Sequence, residues 1–516
     1  MQDRPLSAWG GTGVQSLGLY LPLLVLVLAY FLYKRHQRRR EYEADTVFGN
    51  QHGCQAMEVQ FPVKWPLGID VLRAQMVAIA DNRLFAYQQP FIDDLGPNFM
   101  IKMLGAMVYT TIDPKNLEAM LSTRFEDFEM GSRRGALLPF IGEGIFTQDG
   151  TAWKHSRELL RRPFLKSHYQ DLKGFGEHID SLIAGLSSSS GVVDLQPFLF
   201  RFTLATTTAL IFGQSVDSLE EAQQDFAKDF DYASMISSLR TRLQDFYWAY
   251  SPSRYKAACR RVQDFANVFV KQALQEKNKT GPDSDRYAFI QDLYDEMQDP
   301  VLVRDQLVNV LLAGRDTTAC LLSWTFFLLV RHTSALDRLR NEIRSVMGDD
   351  QELTRTHVQK MSYLKCVLNE TLRLYPSVPI NVRIAQKTTW LPRGGGPDGD
   401  APLLVRRGVG VGFLAYYLHR RKDLYGDDAD EFRPERWEGP ELANIGWGYI
   451  PFHGGPRLCL GKDFALMEAS CAIVRIIQTF PNIRLPPGYP VVPTGQEKQA
   501  LTVFLSSADG CKVLLD

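Results

Sequence analysis

Between Leu307 and Val330 the chain is largely apolar on every side of the helix that its periodicity predicts. The only charges there fall inside one short stretch, Ala313-Gly314-Arg315-Asp316-Thr317-Thr318. A surface helix keeps a polar stripe, whereas one without a stripe has to be wrapped by other elements. The segment therefore demands a large domain whose other helices cover it. Asp316, near its middle, is costly to bury unless it pairs with Arg315 or another cation, or serves chemistry.

The rest of the chain can supply that cover. It has 516 residues, of which 45% are hydrophobic. Long segments at helical period recur at Trp153–Phe164, Ala222–Trp248, Leu302–Arg331, Val358–Leu374 and Phe464–Phe480. Loop signals stand at Ser187–Gly191, Thr280–Pro282 and Arg393–Gly399, and strand-like alternation is confined mainly to Pro379–Leu391, Pro402–Ala415 and Leu501–Leu515. Length alone would allow roughly three or four domains. No repeat and no long Pro/Gly/Ser tract divides the chain, however, so a single large domain over 69–516 is expected, mainly α with minor β (α+β). A net charge of −1 with 23% charged residues excludes a disordered charged tail and gives no reason to expect nucleic acid as a partner. The seven cysteines are sparse, odd in number and unclustered, which argues against a disulfide framework or a structural zinc and for a reducing compartment.

From Leu17 to Tyr33 there is no charge, and extending back to Val14 gives about 20 residues, enough to span a bilayer. Lys34, Arg35, His36, Arg38, Arg39 and Arg40 follow at once. A cleaved signal peptide carries its basic residues before the apolar run, the reverse of this order. Residues 1–40 therefore read as a single-pass anchor with a basic collar that keeps the C-terminal side of the chain in the cytosol. Residues 41–68, with Pro62, Pro66 and Gly68, read as a linker. The sequon Asn278-Lys279-Thr280 should stay bare in this topology.

Near the C-terminus stands Phe452-His453-Gly454-Gly455-Pro456-Arg457-Leu458-Cys459-Leu460-Gly461, followed at once by a helical run. Glycines and a proline make a tight loop that delivers one thiol toward the start of a helix, where backbone N–H groups favour thiolate. A thiolate so placed can ligate haem iron, and Arg457 suits a haem propionate. In the central segment, small Ala313 and Gly314 leave room for a ligand, and the Thr317 hydroxyl can bond back to the Ala313 carbonyl. Asp316 and Thr317 then make an acid–alcohol pair able to relay protons.

The pattern Phe-x-x-Gly-x-Arg-x-Cys-x-Gly resembles the haem-binding signature of the cytochrome P-450 monooxygenases. Five fixed residues in ten positions arise by chance on the order of once in ten thousand such chains. Ala313–Thr318 is similar to the oxygen-activating stretch of that family's central helix. Glu370-Thr371-Leu372-Arg373 with Pro434-Glu435-Arg436-Trp437 is similar to its Glu-x-x-Arg pair and Pro-Glu-Arg-Phe loop, a structural ion triad. Trp153 and Arg157, at spacing four, match the helix that holds haem propionates in many members, and Arg383 is a second such partner. The resemblance, from about Gly53 to the C-terminus, implies the cytochrome P-450 fold and haem b ligated by Cys459. Phe452, Arg457 and Gly461 would line the haem. Electrons would come from NADPH through a flavoprotein, NADPH–cytochrome P-450 reductase, at the endoplasmic reticulum membrane. Arg161, Arg162 and Lys462 could add to a basic face for that partner.

Longer runs, Gly144–Arg157, Leu368–Pro379, Leu391–Gly399 and Tyr425–Trp437, resemble the fungal microsomal branch that oxidises n-alkanes and fatty acids at the chain end. His453 departs from that branch, which commonly has Asn there. Ala313 stands where animal fatty-acid hydroxylases often bear a haem-esterifying Glu, so noncovalent haem is expected. The resemblance implies hydroxylation of an unactivated C–H bond of a long apolar substrate. Its alternative is a tailoring oxidase of a specialised-metabolite pathway acting on a polyketide, terpene or lipid-like intermediate. Substrate contacts are expected from Gly131–Phe146, from Leu307, Val310 and Leu311, from Val378–Asn381 and from the turn at Leu501–Thr502. Arg133 and Arg134 are candidate carboxylate anchors.

Overall fold

The central helix runs Pro300–Leu329 and is buried along nearly its whole length. Asp299 caps it, its carboxylate accepting from the Val301 and Leu302 N–H groups, and Pro300 sits in the first turn, where its missing N–H costs nothing. Helices Leu195–Phe212, Ser253–Thr280, Ser362–Leu374 and Lys462–Thr479 pack around it, so the wrapping that the sequence demands is met by helices. In this computed structural model residues 13–165, 172–215, 220–280, 287–348, 350 and 352–515 are described. Helix Leu195–Phe212 is itself long and apolar enough to cross a membrane, but most of it is buried in this core.

Two predicted helices are divided. Ala222–Trp248 is an α-helix over Glu220–Arg242 and then a 3₁₀ turn over Gln244–Ala249. Val358–Leu374 breaks at Met361 into Arg355–Lys360 and Ser362–Leu374. The break has a tertiary cause: the Glu342 carboxylate accepts from the Tyr363 and Leu364 N–H groups and so caps the second helix from outside. Thr280 is the last described residue of helix Ser253–Thr280, and Pro282 lies outside the described residues.

The minor β structure is a five-stranded sheet and three two-stranded ribbons. Across the sheet the strands are Asn98–Met103, Ala106–Thr111, Gly410–Leu414, Ile380–Ala385 and Phe128–Glu129. The first two form a hairpin absent from the sequence reading. Its two-residue turn, Leu104-Gly105, has φ of 53° and 80°, the mirror-image geometry that matches strand twist, built without the Asn-Gly that usually announces it.

Residues 41–68 are no free linker. The N-terminal helix is continuous from Gly13 to Gln51. Its last turns dock on the ribbon Thr389–Gly395/Ala401–Val405: the Arg406 guanidinium lies 4.3 Å over the Tyr42 ring and 3.8 Å from the Asp45 carboxylate. Phe48, His52 and Trp390 stack in sequence, with Arg124 3.6 Å over the indole. Beyond the helix, Gln55 and Met57 bridge to Leu403 and Gly396, and Gln60 bridges to Met100 of the sheet. The weak periodicity of this stretch reflects isolated bridges on a sheet edge.

Between helix Ser362–Leu374 and the turn Pro434–Trp437 lies a fully buried ion triad. Arg373 donates through Nε and Nη2 to the two Glu370 oxygens, each at 2.8 Å, and Arg436 Nε and Trp437 Nε1 donate to the same carboxylate at 3.2 and 2.9 Å. The guanidiniums also take the His419, Tyr425 and Asp428 carbonyls, tying a long irregular segment to helix Ser362–Leu374. Burial alone would raise the Glu370 carboxyl, but Arg373, the Arg433 N–H and Arg436 together outweigh it and hold the group below its ordinary value. Its stabilising contribution is therefore full above the ordinary glutamate pKa of 4.5 and lost as pH falls through the depressed folded value. Glu370→Gln should destabilise the domain by about 3–5 kcal/mol in urea unfolding at pH 7. Its deficit relative to wild type should shrink as the medium is acidified below that range.

Candidate active site

Cys459 sits in a loop closed by its own N–H bonding to the Phe452 carbonyl at 3.0 Å and by Leu458 N–H bonding to Gly455 O at 3.0 Å. Gly455 has φ +61° and lies against the Leu121 carbonyl, so no side chain fits there. Helix Lys462–Thr479 begins immediately after Gly461. The thiol faces a large internal cavity, which is why it is accessible although no outer surface is near. The expectation of a thiol acidified by the helix end is corrected here. Burial pushes the Cys459 thiol up, and the Gly461 N–H, Arg157 and Lys462 offset this only in part. A metal ion held at this thiol would supply the pull that deprotonates it.

One end of this cavity is polar. Trp153, Arg157, Arg383, Phe452, Arg457 and Gly461 all line it, joined by Arg133 and His453. Arg157 Nη2 donates to the Leu458 carbonyl at 2.8 Å. Arg457 lies 4.4 Å over the Trp153 ring and donates to Asp149 at 2.7 Å. Arg133 and Arg383 share the Asn381 side-chain oxygen at 2.6 and 3.1 Å. Burial pushes Arg133 and Arg457 down to about 10, and it pushes Arg383 further, with Arg133 and Arg457 adding repulsion. A guanidinium keeps its charge at neutral pH, and Asp149 is a carboxylate acting on all three. Buried cations in such excess fit a ligand bearing two carboxylates at this edge and a metal at the thiol. Haem has that composition, and the cavity residues fit it.

Opposite the thiol run Ala313, Gly314, Thr317 and Thr318 of the central helix. The Thr317 hydroxyl donates to the Ala313 carbonyl at 2.6 Å as predicted, and the helix stays continuous through it. The space predicted at Gly314 is taken on one side by Thr207 of helix Leu195–Phe212, whose hydroxyl a Cβ there would strike. Successive helical residues point about 100° apart, and this separates the predicted pair. Thr317 lines the main cavity, whereas Asp316 lines a second one with Arg315, Asp231 and Cys320. Arg315 bridges Asp316 at 3.0 Å and Asp231 at the surface. Burial raises the Asp316 carboxyl to about 6 against the pull of Arg315. Glu468, which the sequence reading passed over, is fully buried beside Thr206 and Thr318, and burial lifts it to about 8, so it is neutral there.

The apolar wall comes from Leu137, Ile145, Phe146, Val310, Val378, Val503 and Phe504. Leu307 and Leu311, predicted to face substrate, point into the core with exposures of 0% and 1%. The C-terminal turn contributes Val503 and Phe504, not the predicted Leu501, and Thr502 faces the second cavity. Arg134 pairs with Glu143 at the surface and is absent from the lining. Arg161 and Arg162 are engaged by Glu158 and Glu296, and Lys462 lies over the Phe452 ring.

A polar face of the central helix holds the loop that carries Ile145 and Phe146. Asp305 accepts from Glu143 N–H at 2.8 Å, Gln306 from Ile145 N–H at 3.3 Å and Asn309 from Phe146 N–H at 3.1 Å. Asn309 also donates to the Ile141 carbonyl at 2.9 Å and is fully buried. Asn309→Leu leaves two buried backbone groups unpaired, so it should cost about 1–3 kcal/mol in thermal or urea unfolding. The same variant should weaken binding of ligands that reach the apolar wall.

Comparison with known proteins matches the family described as Cytochrome P-450 over residues 60–503. A protein named Cytochrome P-450 from Arthroderma benhamiae is 43% identical over 96% of this chain and 98% of its own length. Cytochrome P-450 52A13 of Debaryomyces hansenii is 38% identical over 92% of this chain and 93% of its own. Cytochrome P-450 52A5 of Candida maltosa is 41% identical over 79% of this chain and 81% of its own. With a thiol, a cationic edge and a family match spanning most of its length, the chain belongs to the cytochrome P-450 family of haem-thiolate monooxygenases.

Proposed function

We propose that this monooxygenase hydroxylates the terminal carbon of long-chain n-alkanes or fatty acids. The observation that carries the reading is the division of the cavity. The arginines gather at one edge, where the haem carboxylates would occupy them, and the wall facing the thiol is apolar. A linear alkyl chain suits such a wall, and the sequence resemblance to the alkane-assimilating branch points the same way. Arg133 is drawn into the cationic edge, which leaves no separate carboxylate anchor among the lining residues.

In this reading Cys459 ligates the haem iron and Trp153, Arg157, Arg383 and Arg457 hold the propionate edge, with Phe452 and Gly461 beside the thiolate. The haem supplies the oxygen chemistry. Thr317 presents its hydroxyl toward the reacting centre, and Asp316, near pKa 6 on the far flank, holds and passes protons drawn from the second cavity. The two adjacent residues thus act from opposite sides of one helical turn. Electrons come from NADPH through NADPH–cytochrome P-450 reductase.

The chain is anchored in the endoplasmic reticulum membrane by its first helix, with the catalytic domain cytosolic. This is supported by the apolar run from Leu23 to Tyr33, exposed on all sides (65% at Leu24), and by the basic residues that follow it. Exposed Trp65, Leu67 and Ile69, and Phe246 and Trp248, add apolar surface suited to a bilayer interface.

The test is a Soret spin-state titration of the purified holoprotein with dodecane, lauric acid, palmitic acid and bulky terpenoids, followed by product analysis with reductase and NADPH. Linear chains should displace the iron-bound water at micromolar concentration and yield terminal alcohols. Silence with every linear chain beside a response to a terpenoid would overturn the reading in favour of a tailoring oxidase.

A further inference from the structure

At the cationic edge the thiolate loop presents one imidazole, that of His453. His453 Nε2 lies 2.9 Å from Arg383 Nη2, and His453 Nδ1 lies 3.1 Å from the Gly454 carbonyl. A guanidinium can only donate and a carbonyl can only accept. The contacts therefore define one tautomer, with the proton on Nδ1 and the Nε2 lone pair turned to Arg383. Burial, with Arg383, Arg133 and Arg457 around it, pushes the imidazole down to about 3, so it stays neutral at working pH.

The ring is held from other directions too. It meets Phe413 edge-to-face at 5.6 Å and 73°. Its backbone has φ +66°, a left-handed conformation uncommon for any residue but glycine. The loop thus keeps a costly backbone at the position that presents this side chain. Arg383 in turn has its other Nη group engaged by Asn381 Oδ1 at 3.1 Å and the Val382 carbonyl at 2.8 Å. With both arms of the fork fixed, the plane of the guanidinium is set.

We propose that His453 is a positioning residue: as a neutral acceptor it fixes the plane of Arg383, so that the guanidinium's remaining N–H directions meet a haem carboxylate, and it links the thiolate loop to strand Ile380–Ala385. The proposal rests on the haem-thiolate reading. A guanidinium held beside a haem carboxylate offsets its charge. Loosening it leaves more negative charge near the iron and favours the ferric state.

The test compares haem-loaded, full-length wild type with His453→Gln and His453→Met. These two side chains have similar volume and reach, and they differ in whether they offer a good acceptor. His453→Met should shift the midpoint potential to more negative values and speed haem transfer to excess apomyoglobin about tenfold, as expected for one hydrogen bond to a charged group. His453→Gln should bring both quantities back toward wild type. Equal potentials in wild type and His453→Met would overturn the proposal. So would equal displacement of both variants, which would mean that ring packing, not the acceptor, matters. A wild-type chain unable to hold haem would instead sink the haem-thiolate reading itself.

Discussion

A helix buried on every side has to be surrounded, and the surrounding of Pro300–Leu329 organises everything else in this molecule. Because it lies in the middle, both of its flanks are interior, and each has been hollowed. The flank bearing Ala313 and Thr317 faces Cys459 across the main cavity, and the flank bearing Arg315 and Asp316 faces the second. Two groups of its polar residues serve these hollows. Those at 305, 306 and 309 hold the loop over the main cavity, and those from 315 to 318 lie where the two hollows approach each other.

The second constraint is electrostatic. Glu370 shows the protein's habit with buried charge: two guanidiniums, an indole N–H and backbone carbonyls leave that triad fully partnered. The cluster of Arg133, Arg383 and Arg457 breaks the habit, since Asp149 cannot balance it. A fold that compensates one buried ion group so completely and leaves another in surplus has reserved the second for a ligand. That contrast supports the proposal that haem carboxylates would sit at this edge more strongly than any single residue there does.

Much of the site was legible in the chain because its chemistry comes from short, rigid spacings. Ten consecutive residues around Cys459 form one loop, and a spacing of four puts Trp153 and Arg157 at the same cavity edge. The Glu370 triad followed from its order relative to Arg436. What could not be read was direction. Asp316 and Thr317 are neighbours in sequence and face opposite hollows, and Leu307 and Leu311 look as suitable as Val310 yet face the core. The break at Met361 depends on Glu342 arriving from another helix, and the Leu104-Gly105 turn lacks the usual residues. Residues 41–68 looked like a tether because edge bridges leave no periodic trace. His453, a departure from the expected Asn, proved to touch Arg383 at the cationic edge.

That mistaken tether has a mechanical meaning. From Tyr33, where the apolar run ends, to Tyr42, where docking begins, the chain is helical and spans about 13 Å at 1.5 Å per residue. Below that strut is the segment suited to a bilayer, and above it the helix is clamped by Arg406, Trp390 and their neighbours. A domain on a flexible cord samples every orientation, whereas one on a clamped strut turns only as the strut turns. Apolar helices tilt to match the thickness of the bilayer around them. With the proposed anchor in place, such a tilt would turn the domain with the strut, and bilayer thickness would set which face of the domain meets the lipid.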